Sequence, residues 1–230
     1  MPLRRARLIP LDASHVDRIH RTAARSVFWE LDPLVPTRAV FAGTESEVDK
    51  AAWLFARAYE QQEVGFSIID PVSSAGALAT LLMCPPSAAP GAVRMPTAPF
   101  SPDAFCLTSL HIDKAVAGTG WEAVLIDAAV AALTQQSLPA VEAFGHRAGS
   151  CPDLDSSVIS GANSSLNREL ITNRSAIGLM PVGVLESAGF TVVAQHPVIP
   201  RLRLELPPAH DLLTEREISE LLAGVAAGGG

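Results

Sequence analysis

The stretch that decides the fold runs from Cys106 to Leu133 and reads CLTSLHIDKAVAGTGWEAVLIDAAVAAL. Its beginning, CLTSLHID, has the composition of a strand, and WEAVLIDAAVAAL has the length and apolar content of a helix. Gly118 and Gly120 lie between them and permit the positive φ angles that turn successive backbone N–H groups into one concavity. The helix adds its unpaired N–H groups and the positive end of its dipole. The sequence therefore predicts an anion-binding loop, with a plain glycine turn as the alternative.

The segments around this unit predict a mixed α/β domain. Two amphipathic helices are predicted before it, one beginning near Asp12 or Ser14 and one in ESEVDKAAWLFARAYEQQE. Strand patterns occur in VGFSIID and GALATLLMC, later in AVEAFGH, and on both sides of the proline turn in FTVVAQHPVIPRLRLEL. MPVGVLESAGF predicts a short helix with Pro181 in its first turn and Gly189 at its end. Because only one βαβ crossover is found, we predict a mainly antiparallel sheet with one parallel pair, flanked by helices.

Length and composition limit the class of protein. The chain has 230 residues, 48% hydrophobic and 18% charged, which suits one domain at 1–207 followed by a C-terminal helix and flexible glycine tail at 208–230. Its net charge of −7 argues against a general nucleic-acid binder. No run approaches the roughly 18 apolar residues of a membrane span, and the N terminus lacks the apolar stretch of a signal peptide. The three cysteines lack metal-like spacing and cannot all pair, so we expect a cytoplasmic protein without a metal site.

The loop Ala115–Gly120 and the later segment LESAGF carry a resemblance to a known family. In this order they resemble the GNAT acyltransferase superfamily, whose loop has the form R/Q-x-x-G-x-G/A and whose later segment has the form Y-E-K-x-G-F. The resemblance covers the chain from Leu8 to Leu206, and FWELDP, AAWLFARAYE and HPVIPRLRLEL are similar to actinobacterial members. It implies acetyl-CoA as cosubstrate and direct transfer of the acetyl group to a small-molecule or peptide amine. The cofactor-binding residues that it implies are Leu110, His111, Ile112, Ala117, Gly118, Thr119, Gly120 and Trp121.

Three positions depart from the pattern of that family. Ala115 stands where Arg or Gln is favoured, with Lys114 beside it. Glu122 suits the helix dipole, yet its negative charge would weaken CoA binding if it faces the loop. Leu185 stands where many members carry the tyrosine that protonates the leaving thiolate, and the only tyrosine, Tyr59, lies in an early helix. These departures favour an alternative, a GNAT-fold protein that has lost catalysis and binds a ligand or a partner.

Acyl transfer by direct attack needs a neutral amine and hence a base. Glu142 is the first candidate, because its apolar neighbours in AVEAFGH should desolvate the carboxylate and raise its pKa, with an exposed edge position as the alternative. His146 ends the same strand and titrates in the useful range. Trp29 and Glu30 are interpreted as lining the acceptor pocket, with Glu30 pairing the amine; a core Trp29 and a solvated Glu30 are the alternative.

A third function class rests on the same loop. GTGWEA also satisfies the dinucleotide pattern G-x-G-x-x-A, and Glu142 lies near the spacing of a ribose-binding acid. The glycines, however, do not directly follow the strand, Glu142 falls in mid-strand, and further βα units are missing. An NAD(P)-dependent oxidoreductase is therefore the less favoured alternative. RLRLEL is interpreted as an edge strand, where a homodimer could form.

Overall fold

The structure is a computed structural model, and it describes residues 6–31, 46–61, 63–72, 76–147 and 164–224. The strands are β1 (Arg7–Pro10), β2 (Gly65–Ile69), β3 (Ala79–Cys84), β4 (Ala104–Ile112), β5 (Ala140–His146), β6 (Met180–Pro181), β7 (Thr191–Ala194) and β8 (Arg201–Glu205). The α-helices are α1 (Arg21–Arg25), α2 (Ser46–Gln61), α3 (Trp121–Gln135), α4 (Ser164–Thr172), α5 (Val182–Ser187) and α6 (Glu215–Gly224). None of these described helices is long and apolar enough to cross a membrane. The glycine tail predicted at the C terminus lies outside the described residues.

One sheet contains all eight strands, in the order β1-β2-β3-β4-β5-β8-β7, with β6 paired to β5 off this path. The β4–β5 and β5–β6 pairs are parallel and every other pair is antiparallel. The helix α3 is the crossover that a parallel β4–β5 connection requires. The predicted fold class, a mixed and mainly antiparallel sheet flanked by helices, is therefore confirmed, with a second, two-residue parallel pair, β5–β6, that was not predicted. The prediction of an edge strand in RLRLEL is wrong, because β8 lies between β5 and β7.

The main core lies between the sheet and α3. Most of the helix is buried, which agrees with its almost continuous apolar sequence. Trp121, its first residue, is fully buried and packs in the same cluster as Leu81 and Leu107 of the sheet. The N-terminal end of α3 is therefore fixed against the sheet by packing, and with it the end of the glycine loop.

The N-terminal segment departs from the single helix predicted near Asp12 or Ser14. The Asp12 carboxylate accepts a hydrogen bond from the Ser14 N–H at 2.8 Å and caps a turn, not a helix. Residue His20 is extended and forms an isolated bridge with Ala77, so α1 begins only after it. The strand β1 was not predicted at all, since it is short and contains Pro10, which is tolerated because this strand lies at the sheet edge.

The C-terminal helix α6 is packed on the domain. The indole N–H of Trp121 donates to the backbone carbonyl of Leu221 at 3.3 Å, and the Asp127 carboxylate accepts from the Leu213 N–H at 2.9 Å. Leu222 belongs to the main core cluster. The helix therefore covers the first turn of α3, close to the glycine loop.

Candidate active site

The strands β4 and β5 pair over their first halves and then separate. Their register runs from Ala104 opposite Ala140 to Leu107 opposite Ala143. At the next residue, Thr108, the pairing of β4 with β3 shifts register, which is a β-bulge and bends the strand. Beyond the bulge, β5 pairs with β6 instead of β4. The carboxyl half of β4 therefore faces a gap, and its backbone edge there is not used by β5.

A cavity of about 960 Å³ lies at this gap. Its size falls in the range of small-molecule sites. One wall consists of the end of β4 and the glycine loop, and the other of residues around β6 and α5. Among the residues predicted to bind the cofactor, Leu110, His111, Ile112 and Ala117 line it, and His146 from the predicted catalytic pair does so as well.

The glycine loop has the conformation that the sequence predicts. Gly118 and Gly120 have φ angles of 74° and 90°, in the left-handed region. The first helical hydrogen bond of α3 joins the Val124 N–H to the Gly120 carbonyl, so the N–H groups before Val124 lack partners within the helix. A Cβ placed on Gly118 would meet no atom within 4 Å, so the loop is open on that side. This arrangement suits the binding of an anion.

Glu122 faces this loop. Its Oε1 accepts a hydrogen bond from the Gly118 N–H at 2.9 Å. Such a contact stabilises the start of a helix, where acidic side chains are favoured by the dipole. The same contact places the Glu122 carboxylate next to an N–H group that would hold an anion, so a bound phosphate must compete with that carboxylate. Within the described residues, no group of three or more His, Cys, Asp or Glu side chains could hold a metal ion.

The turn before β6 closes on the edge of β4. The Leu110 N–H donates to the Gly178 carbonyl at 2.8 Å. Gly178 has a φ angle of 70°, and a Cβ there would lie 2.6 Å from the Cβ of Ser109 and 2.7 Å from Nε2 of His111. Only glycine fits this approach. The edge of β4 that the sequence assigns to the cofactor is therefore occupied, at Leu110, by a carbonyl of the chain itself.

His111 is buried at the wall of the cavity. Burial, with the charge of Lys50 and the nearby His20, lowers the pKa of His111 to about 3, so the ring is neutral at pH 7. Its Nε2 and the Oγ of Ser109 are buried and have no hydrogen-bond partner among the described residues. Both atoms belong to residues that touch the Gly178 turn. The sequence analysis named His111 as a cofactor-binding residue and did not predict the burial of its ring.

His20 is a cavity residue that the sequence did not reveal. Its ring stacks on that of His111, with centroids 5.9 Å apart and an interplanar angle of 8°. Nδ1 accepts from the Thr22 N–H at 3.1 Å, which assigns the proton to Nε2, and Nε2 lies 3.1 Å from Oδ1 of Asp113. No local pattern marks His20, because its place is set by the long-range bridge to Ala77.

The two predicted catalytic residues occupy different places. Glu142 is fully buried, and its carboxylate accepts from the N–H and Oγ of Ser101 at 2.9 and 2.6 Å and lies 3.4–3.5 Å from the guanidinium groups of Arg201 and Arg203. It is not exposed at a sheet edge, as the alternative expected, nor does it line the cavity. His146 does line the cavity, and burial, reinforced by the charge of Arg174, lowers its pKa.

The predicted acceptor residues lie behind the cavity. Trp29 is buried, and its indole N–H donates to the carbonyl of Ile177 at 2.9 Å, so the alternative of a core anchor describes it. Glu30 is neither solvated nor open to a substrate amine, because Nζ of Lys50 lies 2.5 Å from its Oε1 and the two side chains are 5% and 1% exposed. The sequence also predicts that a polar stretch from Arg147 to Asn173 frames the acceptor pocket, and residues 148–163 of it lie outside the described residues.

Comparison with known proteins finds no matching family model and no matching curated protein. The solved structures that align include yncA from Salmonella typhimurium, a proposed acetyltransferase with its cofactor acetyl-CoA, at 11% identity and TM-score 0.48, covering 92% of this chain and 99% of that one. Ribosomal-protein-S5-alanine acetyltransferase from Vibrio fischeri aligns at 10% identity and TM-score 0.46, over 92% and 98% of the two chains. A GNAT-family acetyltransferase from Streptococcus pneumoniae aligns at 9% identity and TM-score 0.46, covering 87% of this chain and 98% of that one. At this level of similarity, the strand order, bulge and loop of the chain itself define its fold and site.

Proposed function

We propose that the chain is an acyl-CoA-dependent N-acyltransferase that moves an acetyl group from acetyl-CoA to an amine. The observation that carries this proposal is the separation of β4 from β5 beside the glycine loop. The separation leaves a strand edge along one wall of the cavity, and the loop adds N–H groups at one end of it. A ligand with a pyrophosphate at one end and an amide-containing arm suits both features. Bound acetyl-CoA would supply the activated thioester for the transfer.

The residues that would hold this cosubstrate belong to the loop and to β4. Backbone N–H groups at Gly118, Gly120 and Trp121 are proposed to hold the pyrophosphate. Ala117 and Thr119, whose N–H groups donate to the carbonyls of Asp113 and Val116, are proposed to shape the loop around it. Leu110 and Ile112 are proposed to bind the arm through their backbones, since alternate residues of a strand present their N–H and C=O groups to the same side. The backbone groups of His111 face the opposite side of the strand, towards β3, so His111 is proposed to contribute by closing the wall of the cavity.

His146 is proposed to accept the proton of the attacking amine. It lies at the cavity, and its lowered pKa keeps the imidazole unprotonated at neutral pH. The assignment of Glu142 as the base stays a prediction that no cavity contact supports. Leu185 is fully buried and offers no acid for the thiolate. The departing thiolate, with a pKa near 8.5 by analogy with cysteine, is proposed to leave with help from water.

The second candidate is a GNAT-fold protein without catalysis. Two contacts favour it, namely the Glu122 carboxylate on the Gly118 N–H and the Gly178 carbonyl on the Leu110 N–H. The oxidoreductase alternative loses support, because a dinucleotide fold needs several full-length parallel strands. In the described sheet most pairs are antiparallel, and the second parallel pair, β5–β6, joins only two residues of each strand.

Titration of acetyl-CoA into the purified protein, with NAD as the control titrant, tests the proposal. We expect micromolar binding of acetyl-CoA alone, followed by thiol release with members of an amine panel. Binding without turnover of any amine would favour the second candidate. Binding of neither ligand would reduce the glycine loop to a turn.

A further inference from the structure

We propose that the chain occupies its own acyl-CoA site, with the turn of residues 173–179, here named the inner turn, on the edge of β4 and Glu122 on the glycine loop. The ligand-free protein is thus self-inhibited, and an acyl-CoA binds only by displacing both contacts. This inference rests on the proposed function, since it concerns the same cavity.

The inner turn takes the position of a strand-edge ligand. Its Gly178 carbonyl accepts the Leu110 N–H at 2.8 Å, just beyond the point where β5 leaves β4. The turn thus offers the edge of β4 one hydrogen-bond acceptor, as an amide carbonyl in the arm of a bound acyl-CoA would. The left-handed Gly178 brings the backbone of the turn against Ser109 and His111, in the space that a side chain would fill.

The fit of the inner turn to the strand is incomplete. His111 Nε2 and the Cβ of Ser109 lie beside Gly178, and both His111 Nε2 and Ser109 Oγ stay without partners among the described residues. A buried polar atom without a partner is unfavourable, and native structures contain few of them. Gly178 has no side chain that could supply either bond. The inner turn therefore excludes solvent from this strand edge but leaves these two polar atoms without hydrogen bonds. A ligand or water that displaces the turn can supply those bonds.

Two sets of contacts hold the inner turn in place. Inside the turn, the Leu179 N–H donates to the Arg174 carbonyl at 2.8 Å. Behind it, the Trp29 indole N–H donates to the Ile177 carbonyl at 2.9 Å, and Ile177 and Leu179 are buried in the cluster around Trp29. Trp29, predicted to bind substrate, is thus an anchor of the closed turn.

Glu122 is the second occupant, at the other end of the cavity. Its carboxylate is the only anion known from the described residues to accept from a loop N–H, through the bond from Gly118. A pyrophosphate on the same N–H groups meets both steric competition and like-charge repulsion. The two occupants belong to separate contacts, so we expect the effects of removing them to add.

The test is a titration of CoA into wild type and variants, which requires no turnover. Gly178→Ala places a Cβ within 2.6–2.7 Å of Ser109 and His111 at a φ angle that alanine disfavours, so it should loosen the inner turn. Glu122→Gln removes the charge at the loop. We expect each to tighten the Kd of CoA about tenfold, corresponding to about 1.4 kcal/mol, and the double variant about a hundredfold.

Two matched controls separate occupancy from general effects of substitution. Gly183→Ala adds a Cβ that meets no atom within 4 Å, and Glu186→Gln removes a charge from an exposed position of the same short helix, α5. Neither should change the Kd. In the ligand-free state, the Leu110 amide should also exchange with solvent about tenfold faster in Gly178→Ala, while the amides of β3 keep their protection.

The outcomes distinguish this inference from the proposed function. Equal CoA affinity in wild type and all variants leaves the function standing and overturns self-inhibition. No CoA binding by any of them overturns the proposed function and the inference with it. If Gly178→Ala does not fold, Trp29→Phe removes the anchor of the inner turn without touching β4, and unchanged CoA affinity there contradicts the proposal equally.

Discussion

The two halves of the β4–β5 pair contrast sharply, although they belong to the same two strands. In the first half the strands are hydrogen-bonded, and the one buried carboxylate, Glu142, is held by Ser101 and two arginines. In the second half the strands separate, and Ser109 and His111 keep buried polar atoms without partners among the described residues. Even in the first half, Nε of Arg201 is buried without a partner among the described residues, but both oxygens of the Glu142 carboxylate are hydrogen-bonded. The capacity to bind is found where pairing stops, because unpaired polar groups have the most to gain from a ligand.

The largest expected effect comes from breaking the paired half. Glu142→Ala leaves Arg201 and Arg203 facing each other without their shared carboxylate, and we expect it to lower the free energy of unfolding by about 4 kcal/mol in urea titration. Glu205→Ala removes an exposed carboxylate from the same Arg203 and should lower it by less than about 1 kcal/mol. Equal losses of stability in the two variants would contradict the inference that the buried carboxylate of the paired half contributes more to stability than an exposed one.

The second prediction concerns the buried charges behind the cavity. Lys50→Met leaves Glu30 buried without its cation and should lower the free energy of unfolding by about 3 kcal/mol. The double variant Lys50→Met/Glu30→Gln should recover most of that loss, because it removes both buried charges together. A double variant no more stable than Lys50→Met would show that the lysine acts through packing and not through the pair.

The sequence predicted local elements better than it predicted the contacts between distant parts of the chain. The strand, glycine loop and helix from Cys106 to Leu133 came out as expected, because each has a local signature: alternation, positive-φ glycines and a long apolar run. The predicted N-terminal helix gave way to a turn capped by Asp12 and a short helix, because the extended His20 is held by a bridge to the distant Ala77. Strand order is likewise non-local, which explains the wrong edge assigned to β8.

The site was less predictable than the fold. Of the predicted cofactor residues, Leu110, His111, Ile112 and Ala117 line the cavity, and their binding role stays a prediction. Gly118, Thr119, Gly120 and Trp121 are not among its lining residues. The burial of Glu142 was expected, but its arginine partners lie on a later strand and changed its surroundings. The meeting of Gly178 with His111, and of Glu30 with Lys50, joins residues far apart in sequence that have no shared pattern. Such contacts are set by packing of the whole chain.

The third prediction uses pH to sharpen the contrast at His111. This ring is neutral in the folded chain, with a pKa lowered to about 3, whereas an unfolded histidine titrates near 6.5. Below pH 6.5 the unfolded chain therefore binds a proton that the folded chain excludes, so stability is full above that pH and falls as pH drops towards 3. The expected slope from this group approaches about 1.4 kcal/mol per pH unit in urea titrations at pH 7.5, 6 and 5.

In the variant His111→Gln, the free energy of unfolding should therefore fall less between pH 7.5 and pH 5 than it does in wild type. His15→Gln, at an exposed histidine, is the matched control and should show the wild-type fall. His146 and His196, whose pKa values burial also lowers, contribute the remaining slope. A slope of unchanged size in His111→Gln would contradict the burial of the His111 ring.

The smallest expected effect tests whether α6 supports the open half of the site. Trp121→Phe removes the indole bond to the Leu221 carbonyl, and we expect a loss of about 1–2 kcal/mol in the free energy of unfolding. Trp53→Phe removes the same kind of bond, from an indole N–H to the Ala88 carbonyl, on the other side of the molecule and should have a similar effect on stability. Hydrogen exchange distinguishes the two variants.

The Leu221 side chain lies beside Gly120, because a Cβ added to Gly120 would come within 3.1 Å of it. The helix α6 therefore packs against the last residue of the loop. Exchange at the Gly118 and Gly120 amides should therefore rise in Trp121→Phe and stay unchanged in Trp53→Phe. Exchange that rises in neither variant would make α6 a passive cover of the core. A rise confined to Trp121→Phe would mean that the open half depends on a helix from the end of the chain, whereas the paired half is held by the sheet alone.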